Sequence, residues 1–279
     1  MSTGNPDAPE RAGIPGDESE MGRPPQARQR RNQTNRHRPA DAGTGPALIY
    51  GGHAVLEALR NPRRRLKALY ATENAVEAVA AAAAERGLAP TLARPQEIAR
   101  HAPDGAVHQG LLLIADPLPP VELADLELAG PVIVLDRVTD PHNVGAIIRT
   151  AAGFNAACLV TTIRFSPEAT GVLAKAASGG LEHLPWARET NLARALEALK
   201  DRGFETIGLE GSVPETLAPV DDPSRVALVL GSEGKGLRQK TAATCDRLAR
   251  IPLPGPIGSL NVSNAAAIAL TIATGLGTR

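Results

Sequence analysis

The sequence predicts an α/β protein of two successive α/β modules behind a polar N-terminal arm, and three observations carry that expectation. Apolar runs of strand length alternate with stretches of helical periodicity from about residue 47 onward. A proline-rich break at Pro117, Pro119 and Pro120 divides the alternating region in two. Residues 1–44 hold almost no large apolar side chains, and such a segment cannot bury enough surface to offset its ordering entropy.

The arm, 1–44, is therefore expected to be disordered. Arg23, Arg28, Arg30, Arg31, Arg36 and Arg38 crowd its second half with no acid among them. It is either a solvated tail or an arm that steers RNA through phosphate contacts. Order is expected from Ala47. In the first module, 45–117, a short helix over 53–59 follows the Gly51-Gly52 turn, and a strand covers 66–71. An alanine-rich helix over 73–86 stops at Gly87, a short helix covers 95–101, and 111–115 is a strand. Residues 118–130 are expected to form a linker.

In the second module, 131–279, strands are expected over 132–135, 157–161, 204–209, 226–230 and 248–252, and helices over 144–154, 167–178, 192–202 and 262–276. This alternation implies a parallel sheet with helices on its faces. Such sheets bind ligands beyond the carboxyl ends of their strands, so the chemistry should lie in the segments that follow them.

Composition narrows the function classes. The 279 residues carry a formal net charge of zero and 22% charged residues, so global charge neither favours nor opposes nucleic acid. Aromatics are 2% of the chain, which leaves no broad stacking platform for RNA. Cys158 and Cys245 lack any metal or redox spacing, which points away from a disulfide framework or structural zinc. The N-terminus shows no secretory apolar core, and no run of about 18 apolar residues suggests a membrane span. The cytoplasm is the expected compartment.

Three segments after strands concentrate polar and small residues. In the first, Asp136 to Arg149, a helix is expected to begin near Asn143, which is a candidate N-cap. Arg149 either snorkels to solvent or points into a polar site. The second, Gly231-Ser-Glu-Gly-Lys-Gly236, allows close backbone approach to a ligand. It is neither a Walker A loop nor GxGxxG, and Glu233 within it opposes a phosphate. The third runs from Ile251 through a Pro/Gly-rich loop to Ser259-Leu-Asn-Val-Ser263 and an alanine-rich helix. Ser259 and Asn261 are candidate caps.

Together the three segments resemble the three signature motifs of the SpoU family of RNA ribose 2′-O-methyltransferases, in order and at the family's separations. Asn143 with Arg149, Gly231 to Gly236, and Ser259 to Ser263 carry the match. Residues 49–59 and His108-Gln-Gly110 resemble the substrate-binding domain of one branch, which includes the enzyme that methylates a guanosine ribose in the peptidyl-transferase region of 23S ribosomal RNA. Asn264 and the absence of a Tyr-Glu pair from the last helix depart from the family pattern.

The resemblance implies a SPOUT-type α/β domain with a C-terminal trefoil knot, preceded by a ribosomal-protein L30e-like module, and a homodimer. It implies S-adenosylmethionine as cofactor, held mainly by backbone groups near Gly231, Ile251 and Leu260, and no metal. It further implies that Arg149, Asn143, Glu233, Ser259 and Asn261 form the catalytic set. Arginine is a poor general base because it stays protonated. Arg149 is therefore expected to clamp a phosphate and stabilise the developing alkoxide, although proton relay is the family's usual description. Asn143 would orient Arg149 or the ribose, and Glu233 would hold RNA-facing groups. His142 is expected to be structural, His108 to shape an inter-domain turn, and Lys235 to be solvated or to meet a phosphate. Two other readings stay open: a transfer-RNA ribose methyltransferase, and a non-catalytic RNA-binding ribosome-assembly factor. A nucleotide-binding enzyme using the 231–236 loop is disfavoured by the missing phosphate-loop motifs.

Overall fold

Two sheets divide the chain. The computed structural model describes residues 45–276, and the arm expected over 1–44 lies outside the described residues. The N-terminal sheet has the order β1-β4-β2-β3. Its strands are β1 (Ala47–Tyr50), β2 (Leu66–Ala71), β3 (Thr91–Leu92) and β4 (Leu111–Ala115). Helices α1 (Gly52–Arg60), α2 (Glu73–Glu85) and α3 (Pro95–His101) complete this module. Leu69, Leu111 and Leu113 bury against Val55, Leu59, Val79 and Ala83, the apolar stripes that the helical spacing presents to the sheet. β2, β4 and α3 fall where the sequence places them, whereas β1 and the two-residue β3 were not anticipated.

The second sheet is six-stranded and parallel, in the order β10-β8-β9-β5-β6-β7. The strands are β5 (Val132–Asp136), β6 (Cys158–Thr162), β7 (Trp186–Glu189), β8 (Glu205–Leu209), β9 (Val226–Gly231) and β10 (Arg247–Ala249). Alternation along β5 serves both faces. Ile133 and Leu135 meet Ile147 and Ile148 of α4 (Pro141–Gly153), Leu173 of α5 (Gly171–Ala177) and Leu270 of α8 (Val262–Thr274). Val132 and Val134 meet Leu196 and Leu199 of α6 (Leu192–Asp201). A short α7 (Gln239–Thr244) precedes β10.

The stretch expected as a linker is packed rather than free. Leu123 and Leu128 bury in the α6-side core, and Arg202 donates to the carbonyls of Leu123 and Leu126 at 2.9 and 2.5 Å. Three other boundaries moved for identifiable reasons. α5 starts at Gly171, not 167, because Thr170 caps it, accepting from Leu173 N–H at 3.5 Å. β10 ends at Ala249, because the Arg250 N–H donates to Glu215 O (2.8 Å) rather than to the sheet. The third is the start of α4, which belongs to the active site below.

Burial sets the thiol chemistry. It pushes the Cys158 thiol up to about 12 and the Cys245 thiol up to about 11. At pH 8 neither should hold appreciable thiolate, the reactive form. A thiol reagent should therefore label the folded protein negligibly, and two equivalents should react after denaturation. Among the described residues no helix is long and apolar enough to cross a membrane.

Candidate active site

The parallel sheet delivers its post-strand loops to one edge, and three of them meet there. β5 and β9 pair up to Asp136 and Gly231, so the loops that follow leave the sheet side by side. Asp136 is buried and needs a partner. It accepts from the Arg238 backbone N–H at 3.1 Å and from Arg238 Nε at 2.7 Å. This pair ties the far end of the 232–238 loop to β5. Sequence reasoning missed Arg238, and the available signal was a carboxylate ending an otherwise apolar strand.

Gly231 sits where a side chain would force the backbone of the loop to shift. A Cβ there would stand 2.1 Å from the Gly236 carbonyl carbon and 2.5 Å from Leu237 N, and the contacted atoms are backbone. Gly234 has φ +76°, and Ser232 and Gly236 close a bridge across the loop. Gly231→Ala should destabilise the fold by about 1–3 kcal/mol, the usual range for forced overpacking, and should weaken binding at this edge. Thermal unfolding with calorimetric cofactor titration checks both.

A hydrogen-bonded cluster joins the three loops. Asn261 Nδ2 donates to Asn143 Oδ1 (2.9 Å) and to Glu233 Oε1 (2.8 Å). The same Glu233 oxygen accepts from Asn143 Nδ2 at 3.2 Å and from Val262 N–H at 3.2 Å. Asn261 caps α8, accepting from Ser263 N–H at 2.9 Å and Ser263 Oγ at 2.5 Å. Glu233 thus stands at the positive end of the α8 dipole, where a carboxylate is favoured.

Two sequence expectations need correction here. Asn143 is not the cap of α4. That helix begins at Pro141, and Asp140 caps it, accepting from His142 N–H (3.1 Å) and Asn143 N–H (3.4 Å). Proline suits the first helical position, so the boundary sits earlier than apolar spacing alone suggested. Second, the Asn143 amide, expected to orient Arg149 or the ribose, bonds Glu233 and Asn261 within the chain.

Arg149 and Ser259 are exposed and lie outside this cluster. Six helical residues rise about 9 Å and turn roughly 600°, so Arg149 projects some 120° away from Asn143. Its backbone is covered instead: a Cβ on Gly180 would meet Arg149 Cα at 3.1 Å. Leu260 and Ile251 are partly buried on the loop between β10 and α8, and Ile251 packs on the α8-side core. That loop passes close to Gly211, whose added Cβ would lie 3.5 Å from Gly258 O. His108 serves a turn within its own module, its Nδ1 accepting from Gly110 N–H at 3.1 Å. A shallow cleft of about 450 Å³ lined by Gly130, Asn155 and Arg225 sits at the opposite, amino end of the strands, away from this cluster.

The edge suits a polar, cationic cofactor better than a phosphate. Its loops are rich in glycine and proline, and within the hydrogen-bonded cluster the one charged side chain is the Glu233 carboxylate, the other two being amides.

Comparison with known proteins agrees with this site. The SpoU rRNA Methylase family model matches residues 130–271, and a model for RNA 2′-O ribose methyltransferase substrate binding matches 48–121. The 23S rRNA (guanosine-2′-O-)-methyltransferase RlmB of Pseudomonas putida is 36% identical over 233 residues, covering 80% of this chain and 93% of that protein. RlmB of Pseudomonas syringae pv. tomato is 36% identical over 235 residues, covering 80% and 92%. The crystal structure of an AdoMet-bound rRNA methyltransferase from Sinorhizobium meliloti is similar with a TM-score of 0.67 at 26% identity, covering 82% of this chain and 86% of that one.

Proposed function

Since this chain belongs to the SpoU rRNA methylase family, we propose that it methylates the ribose 2′-hydroxyl of a guanosine in the peptidyl-transferase region of 23S ribosomal RNA. The observation that carries the reading is the meeting of Asn143, Glu233 and Asn261, from three separate loops, at the carboxyl edge of a parallel sheet. A non-catalytic RNA-binding protein has no use for that convergence.

The cofactor is S-adenosylmethionine, whose sulfonium supplies the methyl group for in-line displacement by the ribose oxygen. Backbone groups at Gly231, Ile251 and Leu260 would hold its adenosine side. The Glu233 carboxylate would contribute a negative charge that favours the sulfonium. Asn143 and Asn261 fix that carboxylate, and they hold the three loops at one spacing, which is what alignment requires. Arg149 would clamp the phosphate beside the target ribose and stabilise the oxyanion that develops as the C–O bond forms, with the hydroxyl proton passing to solvent water and S-adenosylhomocysteine departing. Ser259 completes the polar wall.

We further propose that the protein is a cytoplasmic homodimer, with 45–117 as the RNA-binding domain and 131–279 as the catalytic domain. Within one protomer Arg149 faces away from the Asn143 cluster. A second copy across a twofold axis offers Arg149 from the opposite side.

Purified protein with labelled S-adenosylmethionine should methylate a 23S ribosomal RNA fragment and yield 2′-O-methylguanosine on digestion. Methylation of transfer RNA alone would shift the substrate to the transfer-RNA class. Binding of RNA without any transfer would favour the assembly-factor reading.

A further inference from the structure

Two residues beside the catalytic edge are held in a backbone conformation that their side chains disfavour. Arg137 has φ +61° and Phe165 has φ +65°. For a bulky L-residue this region is a genuine outlier, whereas glycine or asparagine adopts it readily. Strain of this kind gathers at functional sites. Burial does not explain the choice of phenylalanine, because the residue is 52% exposed. Nor is the pair random in placement, since the Arg137 guanidinium lies 4.4 Å from the Phe165 ring centroid.

Topology puts the pair between the catalytic edge and the N-terminal module. β5 and β6 pair in register through Leu135 and Thr161, so the loops carrying Arg137 and Phe165 emerge together. Asp136 directly precedes Arg137, and its partner Gly231 begins the catalytic loop that follows β9 on the other side of β5. The Phe165 loop then enters α5, whose first residue is seated on the N-terminal module: a Cβ on Gly171 would meet Leu48 O and the Tyr50 ring, each at 2.5 Å. Phe165 thus sits on the path between the catalytic edge and the N-terminal module. Arg164 beside it is exposed. Of the acids in the two loops, Asp140 is occupied capping α4 and Glu168 is exposed.

We infer that Phe165 and Arg137 form a stacking site for an RNA base flanking the methylated nucleotide. The inference rests on the methyltransferase reading above. A nucleobase stacks on an aromatic ring or on a guanidinium plane, and here the two planes are already joined. Such a contact tolerates any base, so the site positions the strand and does not read its sequence. In a chain with 2% aromatics, one exposed ring at this edge carries that role without a broader platform.

Phe165→Asn separates the functional from the structural account, because asparagine relieves the backbone strain. The variant should match or exceed wild-type thermal stability and bind S-adenosylmethionine equally well. Its KM for a 23S ribosomal RNA fragment should rise roughly 5- to 100-fold, the worth of one base–aromatic stack. Phe165→Tyr should stay near wild type. As a measurement on the unmutated protein, 2-aminopurine placed beside the target nucleotide should be quenched on binding. A stable Phe165→Asn variant with wild-type KM would overturn the site alone, as would an unquenched probe. Wild-type protein that methylates no RNA would overturn the functional reading and this site with it.

Discussion

Arg149→Ala is expected to slow methyl transfer by about 10²–10³-fold, the usual loss when one preorganised stabiliser of developing charge is removed. S-adenosylmethionine affinity should hold, because the cofactor loops follow β9 and β10 and owe nothing to this side chain. Thermal stability should hold as well: Arg149 is exposed, and the packing at that point is made by its backbone against Gly180. Arg149→Lys should fall in between, since it keeps the charge but loses the planar fork that grips a phosphate by two hydrogen bonds. Single-turnover rates and calorimetric cofactor titration check the split. An alanine variant with near wild-type rate would mean that Arg149 only snorkels, as its helical position taken alone allows.

The second large effect is structural. Glu182, in the 3-10 turn Gly180–Glu182, lies buried between the two sheets' modules with a side chain 3% exposed. Its carboxylate accepts from Arg64 Nη2 at 2.5 Å, Arg64 Nε at 3.2 Å and Asn61 Nδ2 at 2.7 Å. Arg64 is 5% exposed and also donates to Asp116 O at 3.1 Å. Arg86 braces the same strip, donating to the carbonyls of Leu59, Asn61 and Arg64. Glu182→Ala leaves the Arg64 charge buried without its partner, which costs about 3–5 kcal/mol. For a chain of this size that is a fall in melting temperature of roughly 6–20 °C. Replacing both partners by apolar residues of similar volume should recover much of the loss, because the desolvation of both ions disappears with them. A urea-unfolding double-mutant cycle over Arg64 and Glu182 measures the coupling, and additive single effects would contradict it. The same strip fixes the RNA-binding module against the turn that packs on Arg149, so Glu182→Ala should also loosen RNA binding.

How much of this was legible depended on what each residue type reveals alone. β2, β4, β5 and β9 are apolar runs bounded by breakers, and period and length suffice for those. β7 was missed because Trp186-Ala-Arg-Glu189 is an edge strand with polar residues on it, which reads as loop. β1 was missed because its four residues depend on antiparallel pairing with β4, distant in sequence. The polar site was legible as three loops, and the family resemblance joined them. Their mutual geometry was not legible: that Glu233 accepts from both Asn143 and Asn261 depends on the spacing of β5, β9 and α8 in three dimensions. Asp140 was passed over as the cap because Asn143 competed for the role on identity alone. The Arg64–Glu182 pair and the Arg137–Phe165 stack left no local signal, since each joins residues far apart in the chain.

The most direct test maps 2′-O-methylation in 23S ribosomal RNA from cells lacking this gene, by nucleoside mass spectrometry and primer extension, then complements them with wild type or Arg149→Ala. The account predicts that one 2′-O-methylguanosine in the peptidyl-transferase region disappears, and that wild type restores it while Arg149→Ala does not. An unchanged ribosomal methylation pattern would contradict it, as would a missing base methylation in place of the ribose one.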